Sequence, residues 1–181
     1  EKVAWLSEIT EYNFGVMGLR NCSFLCADVA KQSLESILQT VALSSVDVIY
    51  LDPSRRNENT QQRVYAIEDC SPDVKAMMGD LLSVAPHIII KLSPMVDLKA
   101  LERDFNGLCD IHVLSLKNEC KEVLVEIRRD YNGKVSYHAA DLTKGGFGTL
   151  SFCRDEDEIF KQAGDRYSQV GKYLFEPDVS L

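Results

Sequence analysis

Hydrophobic residues recur along the chain either at helical spacing or in short unbroken runs. Val3 to Met17 carries apolar residues three or four positions apart and is followed by Gly18, a pattern that predicts a helix. Asn21 to Val29 and Val46 to Leu51 are short apolar segments that predict strands, and Ser33 to Leu43 between them predicts a helix. The alternation of strand and helix is typical of an α/β fold.

The alternation continues in the middle of the chain. Ser71-Pro72 predicts the start of a helix that reaches about Val84, with the serine as N-cap and the proline in the first turn. His87 to Lys91 predicts a strand, and Asp97 to Phe105 predicts a helix. Two further strands, predicted to pair as an antiparallel hairpin, are Asp110 to Leu116 and Val123 to Arg129.

The composition changes after Asp130. Asn132-Gly133 predicts a tight turn, and Lys144 to Gly148 predicts a linker, because this glycine-rich stretch lacks the preceding strand and following helix of a phosphate-binding loop. Thr149 to Cys153 predicts a strand, and Ile159 to Ala163 predicts a helix. We therefore predict two units, a main α/β domain over residues 1–130 and a small α+β segment over residues 131–181.

The candidate chemistry lies where the apolar run from Val46 ends in Asp52-Pro53, followed by a serine and two arginines. A run without polar alternation predicts a strand covered on both faces, and ligands of open α/β sheets lie beyond the carboxyl ends of such strands. Asp52 stands at such an end, and Pro53 stiffens the turn after it. From the local sequence alone, a helix-capping aspartate with solvated arginines explains these residues equally well.

Three separated motifs carry a family resemblance. Val46 to Arg56, Lys91 to Met95 and Asn118 to Glu122 stand in the order found in class I S-adenosylmethionine-dependent methyltransferases, which the chain resembles over nearly its whole length. More narrowly, it resembles a bacterial subgroup in which this domain precedes a ferredoxin-like segment and a THUMP-like C-terminal domain, and Tyr173 to Pro177 resembles the entry into the latter. The resemblance implies a Rossmann-like sheet closed by the antiparallel hairpin, with S-adenosylmethionine as the cofactor.

The resemblance also implies roles for individual residues. Asp52 and Pro53 match the catalytic motif, in which a carboxylate and adjacent carbonyls orient the nucleophile toward the methyl group. Asp28, with Val29 beside it, matches the acid near the adenine of the cofactor, although an N-cap ahead of Ser33 is an equal alternative. The residues implied to contact substrate are Ser54, Arg55, Arg56, Lys91, Ser93 and Pro94.

Lys91 is unusual because it follows a run of three isoleucines. We predict either that its ammonium extends into solvent or that it pairs with Asp52 or Glu122. The polar stretch from Asn57 to Arg63 predicts a loop over the same edge of the sheet. The family's first strands, its glycine-rich turn and its ribose-binding acid have no counterpart before the first matched strand. We therefore expect this stretch of chain alone to bind the cofactor weakly and to be inactive.

The substrate prediction depends on what the motifs lack. Methyltransferases that act on base amines usually carry proline and an aromatic residue after Asp-Pro to stack on a flipped base, but Ser54 and Arg55 stand here. Uracil-C5 methyltransferases need a cysteine in the turn that corresponds to Lys91 to Pro94, and this turn has none. We therefore predict direct methyl transfer to nitrogen or oxygen, without a covalent intermediate, in an enzyme that modifies RNA.

Composition limits the partners. The net charge of −8 makes the chain alone a poor binder of nucleic acid, so RNA affinity must come from further parts of the whole protein. No apolar run is long enough to cross a bilayer, and we predict a cytoplasmic protein with no membrane partner. The six cysteines form no CxxC pair and mostly fall in apolar segments, which predicts buried free thiols and no metal site.

Two other functions fit parts of the pattern. An apolar strand that ends in aspartate also resembles the metal-binding strand of P-loop hydrolases, but the sequence has no GxxxxGK[ST] loop upstream of it. A non-catalytic Rossmann-like scaffold that binds RNA or protein is the main alternative, because half of the expected cofactor pocket is missing.

Overall fold

The computed structural model of the chain describes residues 1–54, 67, 70–143, 148–153 and 179, and the fold is given for these residues. In chain order, the helices and strands are α1 (Ala4–Val16), α2 (Leu34–Thr40), β1 (Val48–Leu51), α3 (Val74–Val84), β2 (His87–Leu92), α4 (Leu98–Asp104), β3 (Asp110–Ser115), β4 (Cys120–Arg128), β5 (Ser136–Asp141) and β6 (Gly148–Cys153). The predicted mixture of helices and strands is confirmed, and most bounds agree within a few residues.

The described strands form one six-stranded sheet in the order β1-β2-β4-β3-β5-β6. β1 and β2 are parallel, and β3 and β4 form the predicted antiparallel hairpin, with β4 lying between β2 and β3. β5 pairs in parallel with β3, and β6 pairs antiparallel with β5. The same sheet thus continues across residue 130, and the division of the chain into two domains at that point stays a prediction.

The core lies against one face of the sheet. Along β2, Ile88, Ile90 and Leu92 are buried, while the residues between them are only half-buried. α3 and α4 contribute Leu81 and Leu101 to the same cluster of buried side chains. Since successive side chains of a strand point to opposite faces, the apolar run of β2 divides into a core face and a more accessible face.

β1 differs from its prediction. A strand covered on both faces was expected, but Val48 and Tyr50 are 50% and 57% exposed. Their neighbours Ile49 and Leu51 pack against the core instead. Among the described residues, only β2 pairs with β1, so one edge of β1 carries no described partner strand. The unbroken apolar sequence therefore does not by itself specify burial on both faces.

The strand prediction for Asn21 to Val29 is wrong. These residues form no strand, and they run beside the first residues of the chain, where the Ala27 amide donates to the Glu1 carbonyl at 2.9 Å. A strand needs a neighbour that satisfies its backbone groups along its length. The described sheet provides no such neighbour here, and the apolar composition alone does not produce a strand.

Side-chain N-caps mark the starts of α2, α3 and α4. Asp97 was predicted inside the first turn of α4 and is its N-cap, with a side chain that accepts hydrogen bonds from two amides of that turn. Ser33 caps α2 in the same way. For α3 the N-cap is Asp73 and not Ser71, because the Asp73 carboxylate accepts from the Ala76 amide at 3.0 Å. Ser71 instead pairs with the loop after β1.

The cysteines are free, but only some are buried as predicted. Cys70 and Cys109 are buried, and Cys120 is half-buried. The prediction is wrong for the exposed thiols, which are Cys22, Cys26 and Cys153. Two of these stand in the segment that forms no strand, and the third lies on β6 at the edge of the described sheet. No described helix is long and apolar enough to span a membrane.

Four predicted features lie outside the described residues. They are the loop from Asn57 to Arg63, most of the glycine-rich linker that begins at Lys144, the helix from Ile159 to Ala163 and the segment from Tyr173 to Pro177.

Candidate functional site

A cleft of about 320 Å³ lies at the carboxyl end of β1. Its walls come from the start of the chain, from the turn at Asp28, from the end of β1 and from the segment before α3. The predicted catalytic pair, Asp52 and Pro53, and the predicted cofactor pair, Asp28 and Val29, all line it. The fold thus brings together residues that stand more than twenty positions apart in the sequence.

Asp52 follows the last residue of β1 and is ion-paired with Lys91. The parallel register sets Leu51 beside Ile90, so the next residue of each strand, Asp52 and Lys91, meet at the carboxyl ends. Lys91 Nζ lies 2.6 Å from Asp52 Oδ2. The predicted pairing is therefore confirmed. The Asp52 side chain remains 53% exposed toward the cleft, whereas the Lys91 side chain is 25% exposed.

The charges around Lys91 favour its ammonium form. The hydrogen bond to Asp52 raises the pKa of Lys91 above its ordinary value, while partial burial opposes this. The Asp52 charge, Glu122 and Tyr50 raise this pKa further. Because the pKa is raised, Lys91 stays protonated at neutral pH and cannot act as a general base there. It supplies a positive charge beside Asp52, although Lys91 does not itself line the cleft.

The backbone after Asp52 is fixed by contacts with the segment before α3. Pro53 is buried, and Ser54 exchanges two backbone hydrogen bonds with Ser71, of 2.8 Å and 3.0 Å. This isolated bridge ties the end of β1 to the segment that leads into α3. A carboxylate on a loop fixed in this way needs little reorganisation when a ligand arrives.

Asp28 organises a turn and also faces the cleft. Its carboxylate accepts a hydrogen bond from the Ala30 amide at 3.1 Å, and its carbonyl accepts from the amides of Lys31 and Gln32. The Ala30 hydrogen bond is the main cause of the lowered pKa of Asp28, with further help from Lys31. Asp28 does not cap α2, whose N-cap is Ser33. The carboxylate stays ionised and retains acceptor capacity for a ligand.

The other predicted substrate contacts fall in different places. Ser93 and Pro94 do not line this cleft. Ser93 is buried, and its hydroxyl accepts from the Met95 amide at 3.2 Å while its carbonyl accepts from the Val96 amide. Ser93 therefore closes the turn after β2. Arg55 and Arg56 lie outside the described residues.

Some lining residues were not predicted. Tyr50, Ser71 and Pro72 face the cleft together with Glu1 and Lys2. The position of Tyr50 could have been predicted from the sequence. It precedes Asp52 by two positions on a strand and therefore points to the same side. The others depend on contacts between distant parts of the chain, which the local sequence does not specify. No group of three or more metal-ligating side chains occurs in the described part of the chain.

Comparison with known proteins points to one fold. The structure is similar to a crystal structure described as a "putative methyltransferase from Porphyromonas gingivalis W83", with 31% sequence identity and a TM-score of 0.53. The similarity covers 68% of this chain and 30% of that chain, so this chain spans less than a third of the matched protein. No family model and no curated protein matches the sequence. The chain therefore has a methyltransferase-like mixed α/β fold.

Proposed function

We propose that the protein is an S-adenosylmethionine-dependent methyltransferase that modifies RNA by direct methyl transfer to nitrogen or oxygen. The observation that carries the proposal is the half-exposed Asp52 carboxylate at the carboxyl end of β1, in one cleft with Asp28. The similarity to a methyltransferase structure supports the same reading. The location agrees with the general rule that ligands of open α/β sheets lie beyond the carboxyl ends of the strands.

The described residues fit one side of the cofactor. Asp28 offers a carboxylate acceptor for the adenine amino group, and Val29 offers an apolar contact beside it. When bound, S-adenosylmethionine supplies an electrophilic methyl group. The glycine-rich turn and the ribose-binding acid would come from chain that this sequence does not contain. We therefore expect the 181-residue chain to bind the cofactor much more weakly than a longer protein that includes them.

Asp52 would act on the nucleophile of the substrate. Its carboxylate accepts a hydrogen bond from an amino or hydroxyl group and so directs a lone pair at the methyl carbon. The buried Pro53 fixes the backbone beneath it. Lys91 balances the charge of Asp52 in the ion pair, which agrees with a neutral amino or hydroxyl nucleophile.

Direct transfer agrees with the state of Ser93, Cys70 and Cys109. Ser93 lies in the turn that corresponds to the cysteine-bearing turn of uracil-C5 enzymes, and it is buried, with its hydroxyl accepting a hydrogen bond from the Met95 amide. Burial raises the pKa of the Cys109 thiol to about 12, so this thiol is not a nucleophile at neutral pH. Cys70 is also buried. A covalent adduct on any of these groups is therefore not expected.

The affinity for RNA would reside mainly elsewhere in the whole protein. The net charge of −8 repels a polyanion, and Lys91 is the basic group that the described site presents at Asp52. A cytoplasmic location and a THUMP-like RNA-binding domain beyond this sequence belong to the same proposal. A non-catalytic Rossmann-like scaffold that binds RNA or protein is the second candidate.

Transfer of a labelled methyl group tests the proposal. The longer protein is incubated with S-adenosylmethionine labelled in its methyl group and with RNA from cells that lack the gene. We expect label in the RNA, and we expect it to disappear in an Asp52→Ala variant of normal stability. RNA binding without incorporation would favour the scaffold. Calorimetric binding of the cofactor by residues 1–181 alone, at micromolar affinity, would show that the pocket is wrongly located.

The absence of a covalent intermediate has its own test. RNA substituted with 5-fluorouridine traps enzymes that attack carbon 6 of the pyrimidine through a thiol. We expect no protein–RNA adduct that survives denaturation. An adduct mapped by mass spectrometry to a cysteine of this chain would contradict direct transfer.

A further inference from the structure

Lys91 lies between two carboxylates on one face of the sheet. Asp52 stands at the end of β1 and is in contact with its ammonium at 2.6 Å. On the other edge of β2, Lys91 is paired with Leu124 of β4. Glu122 stands two positions before Leu124 on that strand and therefore projects from the same face.

The distance between Lys91 and Glu122 suits a long side chain. The two residues are diagonal neighbours across an antiparallel pair, for which the separation is about 7–8 Å and within reach of long side chains. The Glu122 charge already acts on Lys91 and raises its pKa. Glu122 is half-buried, and its carboxylate forms no hydrogen bond or close ion pair with the described residues. Glu122 is thus available as a second partner.

The present partner of Lys91 is the carboxylate that a substrate needs. While Lys91 holds Oδ2 of Asp52, that oxygen cannot accept a hydrogen bond from a nucleophile along the same direction. Release of Lys91 into the half-buried space without a partner would leave a poorly solvated charge, which is costly. A second carboxylate within reach removes most of that cost.

We propose that Lys91 is a positioning residue that transfers its ammonium from Asp52 to Glu122 when a substrate group takes its place on Asp52. The proposal rests on the function proposed above. No bond is made or broken in this step, because one ion pair replaces another and every group keeps its charge. The Glu122 side chain is the new element, and the family resemblance assigned it no role.

Nuclear magnetic resonance of the lysine side chains tests the exchange without any activity measurement. The Lys91 titration is followed in the wild type, in Asp52→Asn, in Glu122→Gln and in the double variant. If Glu122 replaces Asp52, the single variants lower the Lys91 pKa modestly, and the double variant lowers it by more than the sum of the two. A double variant equal to Asp52→Asn would overturn the proposal.

Two matched controls are present in the chain. Lys75 and Asp104 form an ion pair of the same 2.6 Å length away from the cleft, so Asp104→Asn should leave the Lys91 titration unchanged. Glu119 is ion-paired with Lys121 near the start of β4, and Glu119→Gln controls for loss of a nearby negative charge. A response of Lys91 to Glu119→Gln equal to its response to Glu122→Gln would also contradict a specific exchange.

Cross-linking of the unmodified protein gives a second measurement that does not depend on how the variants fold. A zero-length carbodiimide reagent joins an amine to a carboxylate in contact with it, and peptide mapping identifies the pairs. Cross-links from Lys91 to both Asp52 and Glu122 are expected, and a cross-link to Asp52 alone would argue against the exchange. If both cross-links form but the longer protein transfers no methyl group, the ion-pair exchange stands and the methyltransferase proposal fails.

Discussion

Asp52 and Asp110 are two carboxylates of the same sheet that differ in how completely the chain uses their oxygens. Asp110, at the start of β3, is 7% exposed, with Oδ2 bound to Arg128 and Oδ1 3.0 Å from the Tyr131 hydroxyl. The Arg128 guanidinium also lies 4.7 Å above the Tyr131 ring. Asp52 is 53% exposed, and Lys91 is the one described residue that contacts its carboxylate.

The difference separates a structural carboxylate from one that is available to a ligand. A buried carboxylate whose oxygens are both satisfied has no capacity left for a ligand, and its removal would leave a charged neighbour without a partner. A carboxylate at the end of a strand, with one exchangeable partner and access to a cleft, is available to accept a hydrogen bond from a ligand. The comparison predicts that loss of Asp52 affects activity and loss of Asp110 affects stability.

The largest expected effect is on methyl transfer. Asp52→Ala in the longer protein should lower kcat/KM by about 100-fold or more, because the nucleophile is no longer oriented. The free energy of unfolding should change by no more than about 1 kcal/mol, since Asp52 is half-exposed and Glu122 remains near Lys91 as a second carboxylate. Labelled methyl transfer and chemical denaturation measure the two quantities. A destabilised Asp52→Ala protein that is active when folded would make this residue a structural cap.

The second effect is on stability. Asp110→Asn should lower the free energy of unfolding by about 2 kcal/mol, because Arg128 and Tyr131 lose a charged acceptor in a mostly buried place. Methyl transfer by the folded variant should stay near that of the wild type. Urea denaturation followed by circular dichroism measures the loss, with Glu119→Gln as an exposed control. Equal stability of Asp110→Asn and the control would remove the contrast between the two carboxylates.

The third effect concerns the partner of Asp52. Lys91→Met should lower KM about threefold and leave kcat nearly unchanged, because the substrate no longer displaces an ammonium from Asp52 and the bound state does not depend on that ion pair. Lys91→Arg should restore a KM near that of the wild type. Glu122→Gln should instead raise KM and leave kcat nearly unchanged. Steady-state kinetics of the longer protein separate these results, and a parallel fall of kcat in all three variants would contradict a positioning role.

The elements predicted correctly are those specified by residues that lie close together in the sequence. The helices were found because their apolar spacing repeats within one or two turns, as in α4, which begins one residue after the predicted start at Asp97. The pairing of Lys91 with Asp52 was also predictable, since an ammonium after three isoleucines needs a partner at the end of the strand. The parallel pairing of β1 with β2 then brings the carboxyl ends of the two strands together.

Non-local contacts account for what was missed. Asn21 to Val29 has a strand-like composition, but a strand also needs a neighbour, and the described sheet does not provide one. Ser71 was predicted as a cap because it precedes proline, whereas its backbone pairs with Ser54, seventeen positions earlier. The lining of the cleft by Pro72 follows from that same bridge. Such pairings depend on the assembled fold, and the residues next to each partner in the sequence do not indicate them.

A third carboxylate, Glu126 on β4, is intermediate between the other two. Its oxygens lie 3.6 Å from His87 Nδ1 and 3.4 Å from His112 Nε2, which is longer than a good hydrogen bond. The His112 ring stacks on His138 with centroids 4.5 Å apart. Burial lowers the pKa of His112, His138 lowers it further, and Glu126 opposes both.

The smallest expected effect is therefore a pH dependence of stability. Because the pKa of folded His112 lies below its ordinary value of about 6.5, the unfolded chain binds a proton first as the pH falls. Stability that is complete above pH 6.5 should decline below it, until the folded pKa is passed. His112→Asn should flatten this decline, whereas Glu126→Gln should steepen it by removing the charge that favours the imidazolium. Denaturation curves between pH 7.5 and 5.5 measure both slopes, and a flatter slope in Glu126→Gln would show that Glu126 does not support protonation of His112.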